Sequence, residues 1–356
     1  MRSEMFISIV LAVMVLVGLG YLFLKDINNN SSTGGLTEAD YPTYKEIVNP
    51  SGFLNTGGES VSIKDYVGEK VVLLDFMTYS CVNCKRTFPY LNEWYEKYQD
   101  DGLIVIGIHT PEFAFEHDIE NVRRALGKEG IKFPVVLDND YATWRAYGNQ
   151  FWPRKYLINK DGKIVYDHIG EGAYNEIEEQ IVKALSELNN ENVEKETGSL
   201  TEKEQTDLLK VGTREMYLGR SRIEFINNLP SVDCLTKSCE YSKPAEIPSN
   251  TFSLSGTWRI EPEQAVLESS TGSVSLRFSA SKVHIVATGG ATAEIYLDGE
   301  LVNSENFGVN VSYDGTVNFD EEDFYNLIDL KGQYGEHLIE IRVLEPGFEA
   351  FAFTFG

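Results

Sequence analysis

Residues 71–91 have the sequence VVLLDFMTYSCVNCKRTFPYL, and this stretch decides the fold. Its first part, VVLLDF at 71–76, is a short apolar run rich in β-branched residues, which predicts a buried strand. From Cys81 to Tyr98, large apolar side chains recur near helical spacing, which predicts a helix that begins at the first cysteine. A C-x-x-C motif directly after a buried strand and at a helix start is typical of a redox-active dithiol.

The position of Cys81 and Cys84 gives them different chemistry. A helix N-terminus presents free N–H groups and about half a positive charge, which stabilises the thiolate form of Cys81. Cys84 lies one turn further along and is more sheltered. We therefore expect Cys81 to attack a substrate disulfide and Cys84 to resolve the mixed disulfide.

Three other chemistries share parts of this motif. A zinc site needs two further ligands, and the sequence has neither a second C-x-x-C nor an H-x3–5-H pair, so we expect no metal and no cofactor. A structural disulfide across two residues would be strained and reducible. Thr78 precedes Cys81 as in the Pro-x-x-x-Thr-x-x-Cys arrangement of peroxiredoxins, but Leu74 stands where the proline belongs. Thiol peroxidase activity is the alternative that stays open.

The rest of residues 41–190 alternates between predicted strands and helices. The strands are predicted at 103–108, 135–137, 155–158 and 163–167, and the helices at 119–129, 141–147 and 174–188. Asp161-Gly162 is a strong hairpin signal between the last two strands. This order predicts an α/β domain with an antiparallel edge.

Several separate segments of this domain resemble known proteins. They are 75–91, 109–116 (HTPEFAFE), 137–148 (LDNDYATWRAYG) and 151–157 (FWPRKYL). In this order they resemble the thioredoxin superfamily of the TlpA/DsbE type, and above all the extracytoplasmic thioredoxin-like domain of the DipZ family. The resemblance covers residues 60–180 and implies a thioredoxin fold and thiol-disulfide oxidoreductase activity.

The resemblance also implies roles for individual residues. Cys81 and Cys84 match the attacking and resolving cysteines. Asp75 matches a buried acid that takes the proton of Cys84, with an ordinary strand-end aspartate as the alternative. Pro153 matches a cis-proline that faces the dithiol, and the backbone beside it would pair with an extended substrate peptide. Trp152 would line the same groove, unless it is simply a packed aromatic.

The sequence departs from the family pattern near the dithiol. Met77 and Ser80 replace residues that are commonly aromatic, and Val82-Asn83 supplies no cation between the cysteines. These differences bear on the redox potential. His109 and Glu112 are candidates for proton carriers at the site, with packing and loop capping as the alternatives.

The N-terminus predicts a membrane anchor. Residues 5–24 contain no charge, and twenty helical residues span a hydrocarbon core of about 30 Å. The exit from this run lacks an A-x-A-like cleavage site, which favours a signal anchor over residues 1–25 rather than a cleaved signal peptide. Residues 26–40 are predicted to be a flexible tether. Everything after it would then lie outside the cytoplasm, on the periplasmic or cell-surface side, where disulfides persist.

The charge of the chain excludes one class of partner. There are 55 Asp+Glu against 31 Lys+Arg, a net charge of −24. No excess of basic residues is available to displace counterions from nucleic-acid phosphates, so we expect no nucleic-acid partner. Residues 251–356 alone carry 17 acidic and 5 basic residues, which indicates a separate C-terminal unit.

A linker over residues 191–249 is predicted between the two domains because its first part is charged and nearly free of apolar residues. Cys234 and Cys239 lie in it, and we expect a local structural disulfide, with an electron shuttle to the dithiol as the alternative. The segment 213–222 (TREMYLGRSR) resembles one that follows the thioredoxin domain in DipZ proteins, and domain docking is its predicted role.

Residues 250–356 change to the alternating pattern of strands, as in 338–344, and predict an all-β, jelly-roll-like sandwich. Two segments, LSGTW at 254–258 and EPGFEAFAFTFG at 345–356, resemble the carbohydrate-binding-like module of DipZ proteins. An envelope glycan is therefore a candidate partner. The aromatic side chains that could stack on a sugar, or else pack in the core, are Trp258, Tyr313, Tyr325 and Tyr334.

Together these features predict a membrane-anchored, extracytoplasmic thiol-disulfide oxidoreductase that reduces disulfides in substrate proteins. In DipZ proteins the thioredoxin domain is fused to a CcdA-type membrane electron carrier, so a separate CcdA-type donor is a hypothetical partner here. The alternative is an envelope-binding protein in which the redox domain is secondary.

Overall fold

A six-stranded mixed sheet organises the first part of the chain in the computed structural model, which describes residues 41–195, 200 and 208–356. Its strands are β1 (Gly52–Leu54), β2 (Val71–Met77), β3 (Leu103–His109), β4 (Val135–Leu137), β5 (Arg154–Ile158) and β6 (Ile164–Ile169). They lie in the order β1-β4-β3-β2-β5-β6. The strands β2, β3 and β4 are mutually parallel, and the outer strands run antiparallel to their neighbours.

Helices cover both faces of this sheet. They are α1 (Val82–Tyr98), α2 (Ile119–Lys128), α3 (Ala142–Ala146) and α4 (Tyr174–Asn189), with 3-10 turns at Ile63–Asp65 and Ala114–His117. Alternate residues of β2 point to opposite sides. Leu73 packs in a core with residues of α1, α2 and α4, and Leu74 packs in a second core with Ile63 and Trp144. Because both faces are covered, all seven residues of β2 are buried, as its unbroken apolar sequence indicates. The predicted α/β fold is confirmed.

The second part of the chain is β-rich, as predicted. Its strands are β7 (Met216–Tyr217), β8 (Cys239–Tyr241), β9 (Thr251–Ile260), β10 (Ala265–Leu267), β11 (Gly272–Ala280), β12 (Lys282–Thr288), β13 (Thr292–Leu297), β14 (Glu300–Leu301), β15 (Thr316–Asn318), β16 (Asp323–Asp329), β17 (Gly335–Val343) and β18 (Glu349–Phe355). Their main order is β14-β13-β17-β11-β9-β10-β18-β12-β16, with β15 on β13, β7 on β18 and β8 on β9.

Strand β9 connects the two halves of this strand arrangement. Its first half pairs with β11, and its second half pairs with β8 and β10. The change falls at Gly256, which has φ +101° and lies so close to Thr271 O that a Cβ would be 2.9 Å from it. Only glycine adopts this conformation without strain. Phe252 and Trp258, which lie on either side of Gly256 in β9, both pack in one apolar core.

The structure differs from the linker expected over 191–249. Within it, β7 pairs with β18 and β8 pairs with β9, and 3-10 turns occur at Leu208–Lys210 and Val232–Leu235. The physical reason is that isolated apolar side chains in this polar segment, Met216 and Tyr241 among them, complete the core of the β-rich part. Cys234 and Cys239 are joined by a disulfide, with their Cα atoms 5.5 Å apart.

The predicted anchor (1–25) and tether (26–40) lie outside the described residues. Among the helices that the structure does describe, none combines the length and the apolar character needed to span a bilayer.

Residues Thr43–Gly356 form one compact unit, in which the α/β part and the β-rich part contact each other. The rings of Phe113 and Phe115 meet Phe351 of β18 edge-on, with centroids 5.2 and 5.0 Å away. Arg86 of α1 donates a hydrogen bond to the carbonyl oxygen of Phe355 at 2.8 Å. The end of β18 therefore lies beside the start of α1, where the two cysteines are.

Candidate active site

Cys81 is the residue that caps α1. Its backbone is extended (φ −77°, ψ 118°), and its sulfur accepts a hydrogen bond from the N–H of Cys84 at 3.4 Å. Both cysteines are free thiols, but Cys81 is partly exposed whereas Cys84 is completely buried. Burial raises the pKa of the Cys84 thiol well above its usual value, and Cys81 and Asp75 raise it further. Cys84 therefore stays protonated near pH 7 until a base takes its proton, while Cys81 is the thiol that a substrate reaches.

Asp75 lies within β2 as a buried acid. It is opposite Lys155 of β5 in the strand register, and the Lys155 ammonium is 3.0 Å from its carboxylate. Both side chains are almost completely excluded from solvent. Burial raises the pKa of Asp75, and the charge of Lys155 opposes this. The charge of Asp75 also raises the pKa of the buried Cys84 thiol, so the two groups interact electrostatically.

Lys155 was not found from the sequence. It begins the apolar run KYLI and falls in a central strand, where an unpaired cation is costly. A lysine at that position was a usable sign of a buried acidic partner, but nothing local identified the partner as Asp75.

The loop before β5 faces the dithiol. The peptide bond between Trp152 and Pro153 is cis, and the Cys81 thiol is 3.9 Å from the carbonyl oxygen of Trp152. The Trp152 indole donates to Thr110 O at 3.1 Å and packs on Trp144, with ring centroids 4.3 Å apart. The side chain of Trp152 is thus held by packing, and its backbone lies beside the reactive sulfur.

His109 is packed rather than exposed to the site. It is fully buried at the end of β3, stacks on Tyr79 with centroids 5.7 Å apart, and has Nε2 3.5 Å from Thr78 Oγ1. Burial lowers the pKa of His109 to about 3. The imidazole is therefore neutral near pH 7, which favours the packing alternative over a proton carrier.

Glu116 is a residue of the site that sequence reasoning missed. It is fully buried and accepts hydrogen bonds from Ser80 Oγ (2.6 Å), Phe113 N (3.1 Å) and Ser80 N (3.3 Å). Burial raises the pKa of Glu116 to about 7, although these donors favour the charged form. Glu116 ties the residue before Cys81 to the 114–117 turn. The one sign of Glu116 in the sequence is that this acidic residue directly follows the apolar residues Phe113, Ala114 and Phe115.

A cavity of about 260 Å³ opens beside Cys81. Cys81 and Trp152 form one side, and Tyr217, Arg222 and Phe355 of the β-rich part form the other. The segment 213–222, predicted only to dock the domains, thus lines the same cavity as the reactive thiol.

Other predicted binding residues are less accessible. Trp258 and Tyr325 are in the β-rich core, at 0 and 8% exposure, so neither ring can stack on a sugar. Tyr313 is 89% exposed and Tyr334 is partly exposed. Within the described part of the chain, no three His, Cys, Asp or Glu side chains are close enough together to hold a metal ion.

The α/β fold and the dithiol at the start of α1 define a thioredoxin-like protein, and the comparisons agree. Residues 42–185 match the Redoxin family model, and residues 213–356 match the model described as a thioredoxin-like C-terminal domain. Thiol-disulfide oxidoreductase YkuV of Bacillus subtilis is 30% identical over 40% of this chain and 93% of its own. Thiol-disulfide oxidoreductase ResA of Bacillus thuringiensis is 36% identical over 35% of this chain and 69% of its own. This chain belongs to the thioredoxin-like thiol-disulfide oxidoreductases.

Protein DipZ of Mycobacterium tuberculosis shows a longer match, 34% identity over 76% of this chain. The match includes both parts of the chain and covers 39% of DipZ. This chain thus spans about two fifths of that relative.

The buried His109 predicts a dependence of stability on pH. The unfolded chain binds a proton at this histidine below about pH 6.5, whereas the folded chain does so only below about pH 3. Stability should therefore fall as the pH falls through this window. At 1.36 kcal/mol per pKa unit, and with half of the unfolded histidine already protonated at pH 6.5, His109 accounts for roughly 2.3 kcal/mol of the loss between pH 6.5 and 4.5. Urea unfolding at several pH values should show a flatter profile for His109→Gln. Parallel profiles for the two proteins would contradict the assignment.

Proposed function

We propose that this protein reduces disulfides of other proteins outside the cytoplasm, with Cys81 as the nucleophile and Cys84 as the resolving thiol. The observation that carries the proposal is the asymmetry of the two cysteines. Cys81 is accessible at the start of α1 and faces the Trp152 carbonyl, whereas Cys84 is buried and protonated.

The reaction then follows in two steps. The thiolate of Cys81 attacks one sulfur of the substrate disulfide, which forms a mixed disulfide and releases the other substrate sulfur as a thiolate. Asp75 takes the proton of Cys84, and the new thiolate attacks the sulfur of Cys81. The second substrate thiolate leaves, so the substrate gains two electrons and the enzyme keeps a Cys81–Cys84 disulfide.

The groove beside Pro153 suits a protein substrate. An extended peptide can pair with the backbone at Trp152, beside Pro153, because that backbone borders the partly exposed thiol of Cys81. The cavity that Cys81 and Trp152 both line leaves room for a substrate side chain. A thiol peroxidase, the second candidate, would not need such a groove.

The cellular setting is also part of the proposal. The uncharged run at residues 5–24 supports a membrane anchor, with the folded residues 41–190 and 250–356 on the outer side. The many paired strands support the jelly-roll-like description of the β-rich part. An envelope glycan is its proposed partner, for which Tyr313 and the partly exposed Tyr334 are the accessible aromatics. A glycan array probed with the full chain tests that partner.

A CcdA-type membrane protein is the proposed electron donor. Each turnover leaves Cys81 and Cys84 oxidised, so the enzyme needs a dithiol source. Deleting the donor should leave most of the dithiol oxidised in cells, as measured by alkylation of free thiols and a gel shift. A fully reduced dithiol in the deletion strain would rule that donor out.

The substrates can be captured with a Cys84→Ser variant. Without the resolving thiol, the first step still forms a mixed disulfide, which should then accumulate on Cys81. Non-reducing gels and mass spectrometry identify the captured proteins, and Cys81→Ser/Cys84→Ser is the matched control. If the single variant captures no more than the double variant, the proposed mechanism is wrong.

Asp75→Asn should slow resolution selectively. Loss of the proton acceptor should lower the rate of the second step by about 100-fold or more, while formation of the mixed disulfide stays near its normal rate. Stopped-flow measurement with a fluorescent mixed-disulfide substrate separates the two steps.

The control for Asp75→Asn addresses folding. The single variant leaves Lys155 buried without its partner, which costs about 3–5 kcal/mol. In Asp75→Asn/Lys155→Met this unpaired charge is absent, yet resolution should remain slow. If the double variant resolves at the wild-type rate, Asp75 is not the proton acceptor.

A further inference from the structure

Two carboxylates at the cavity beside Cys81, those of Glu112 and Glu215, share one guanidinium, that of Arg222. Glu112 is engaged, since its Oε1 accepts from Arg222 at 2.7 Å and from the hydroxyl of Tyr217 at 2.8 Å. Glu215 Oε2 lies 2.8 Å from the same hydroxyl. One hydroxyl has one proton, so Tyr217 can donate to only one of the two carboxylates at a time.

Arg222 is held in place and donates its hydrogen bond to Glu112, while its charge acts on Glu215 without direct contact. Its guanidinium lies over the ring of Tyr217, 3.7 Å from the centroid, and 5.2 Å from the centroid of Phe113. Among the described residues, no lysine, arginine or histidine forms an ion pair with Glu215. Glu215 lines the cavity and keeps solvent-accessible surface, so a group from outside can reach it. Partial burial in the cavity and the neighbouring Glu112 raise the pKa of Glu215 to about 7, so a cation that enters beside it would favour its charged form.

A second, independent feature points into the same space. Thr354 of β18 lines the cavity and is 3% exposed, and its hydroxyl has no hydrogen-bond partner among the described residues. A buried hydroxyl without a partner is costly, and a donor entering the cavity would remove that cost. An ammonium or a guanidinium group can donate both to this hydroxyl and to Glu215.

We propose that this cavity binds a lysine or arginine side chain of the substrate protein, next to the cysteine that Cys81 attacks, and that Glu215 determines this preference. The inference rests on the proposed function and names its substrate class. A substrate backbone that lies along Trp152 has the cavity at its side, because Trp152 and Cys81 both line it. The volume of about 260 Å³ accommodates one long side chain.

The test uses the full chain and a set of matched peptides. Each peptide carries one glutathionylated cysteine, and the neighbouring residue is Lys, Gln or Glu. We expect kcat/KM for the Lys peptide to exceed that for the Gln peptide by roughly three- to fivefold at low salt, with the Glu peptide slowest. The preference should shrink as the salt concentration rises.

Charge variants separate recognition from a structural effect. Glu215→Gln should remove the preference for the Lys peptide, and Glu215→Lys should favour the Glu peptide instead. A merely structural role would not invert the order. Glu305→Gln, an exposed glutamate elsewhere in the β-rich part, is the matched control and should keep the wild-type order.

Failure of the cation preference and failure of the proposed oxidoreductase function give different results. If all three peptides are reduced at equal rates, the cavity does not select a cation, and the oxidoreductase function stands. If the Glu215→Lys variant keeps the wild-type order, Glu215 is not the determinant. If no peptide is reduced while the protein is folded and its dithiol is free, the proposed function itself fails.

Discussion

The burial of a charge in the central strand is the constraint on which the rest of the site depends. Strand β2 has both faces covered, so Asp75 has no access to water. An unpaired carboxylate there costs several kcal/mol, and Lys155 of the neighbouring strand offsets this. The pair lies at a matched register position of β2 and β5. It therefore favours the one alignment of β5 that sets Pro153 and Trp152 opposite the end of β2, where Cys81 begins the helix.

Burial distinguishes the two cysteines. The helix start leaves Cys81 at the surface and turns Cys84 into the core, one turn along. A buried thiol is a poor nucleophile because its ionised form is disfavoured. Cys84 should therefore react only when a base can take its proton and a disulfide sulfur lies next to it. In the proposed mechanism, formation of the mixed disulfide at Cys81 supplies that sulfur, and Asp75 supplies the base. The order of the two steps is thus a consequence of where the chain places each thiol.

The sequence was sufficient for features that depend on neighbouring residues. The strand before Cys81, the helix after it and the reactive dithiol all follow from periodicity and spacing within about thirty residues. Lys155, Glu116 and Arg222 were missed because their roles depend on partners that are 80, 36 and 110 positions away. The linker over 191–249 was predicted because its first part is charged and nearly free of apolar residues. Only the assembled core shows that Met216 and Tyr241 belong to it.

Contacts between the two parts of the chain lie at the cavity beside Cys81, where we propose that the substrate is selected. Arg222 packs on Phe113 of the α/β part and also lines the cavity at Cys81. Arg86 binds the end of β18 and lies one turn after the dithiol begins. A thioredoxin-like domain alone would leave Cys81 open to any disulfide within reach, whereas here the β-rich part closes one side of its approach. A substrate that binds the cavity must therefore contact both parts, so its binding stabilises the docked arrangement by the same contacts that select it.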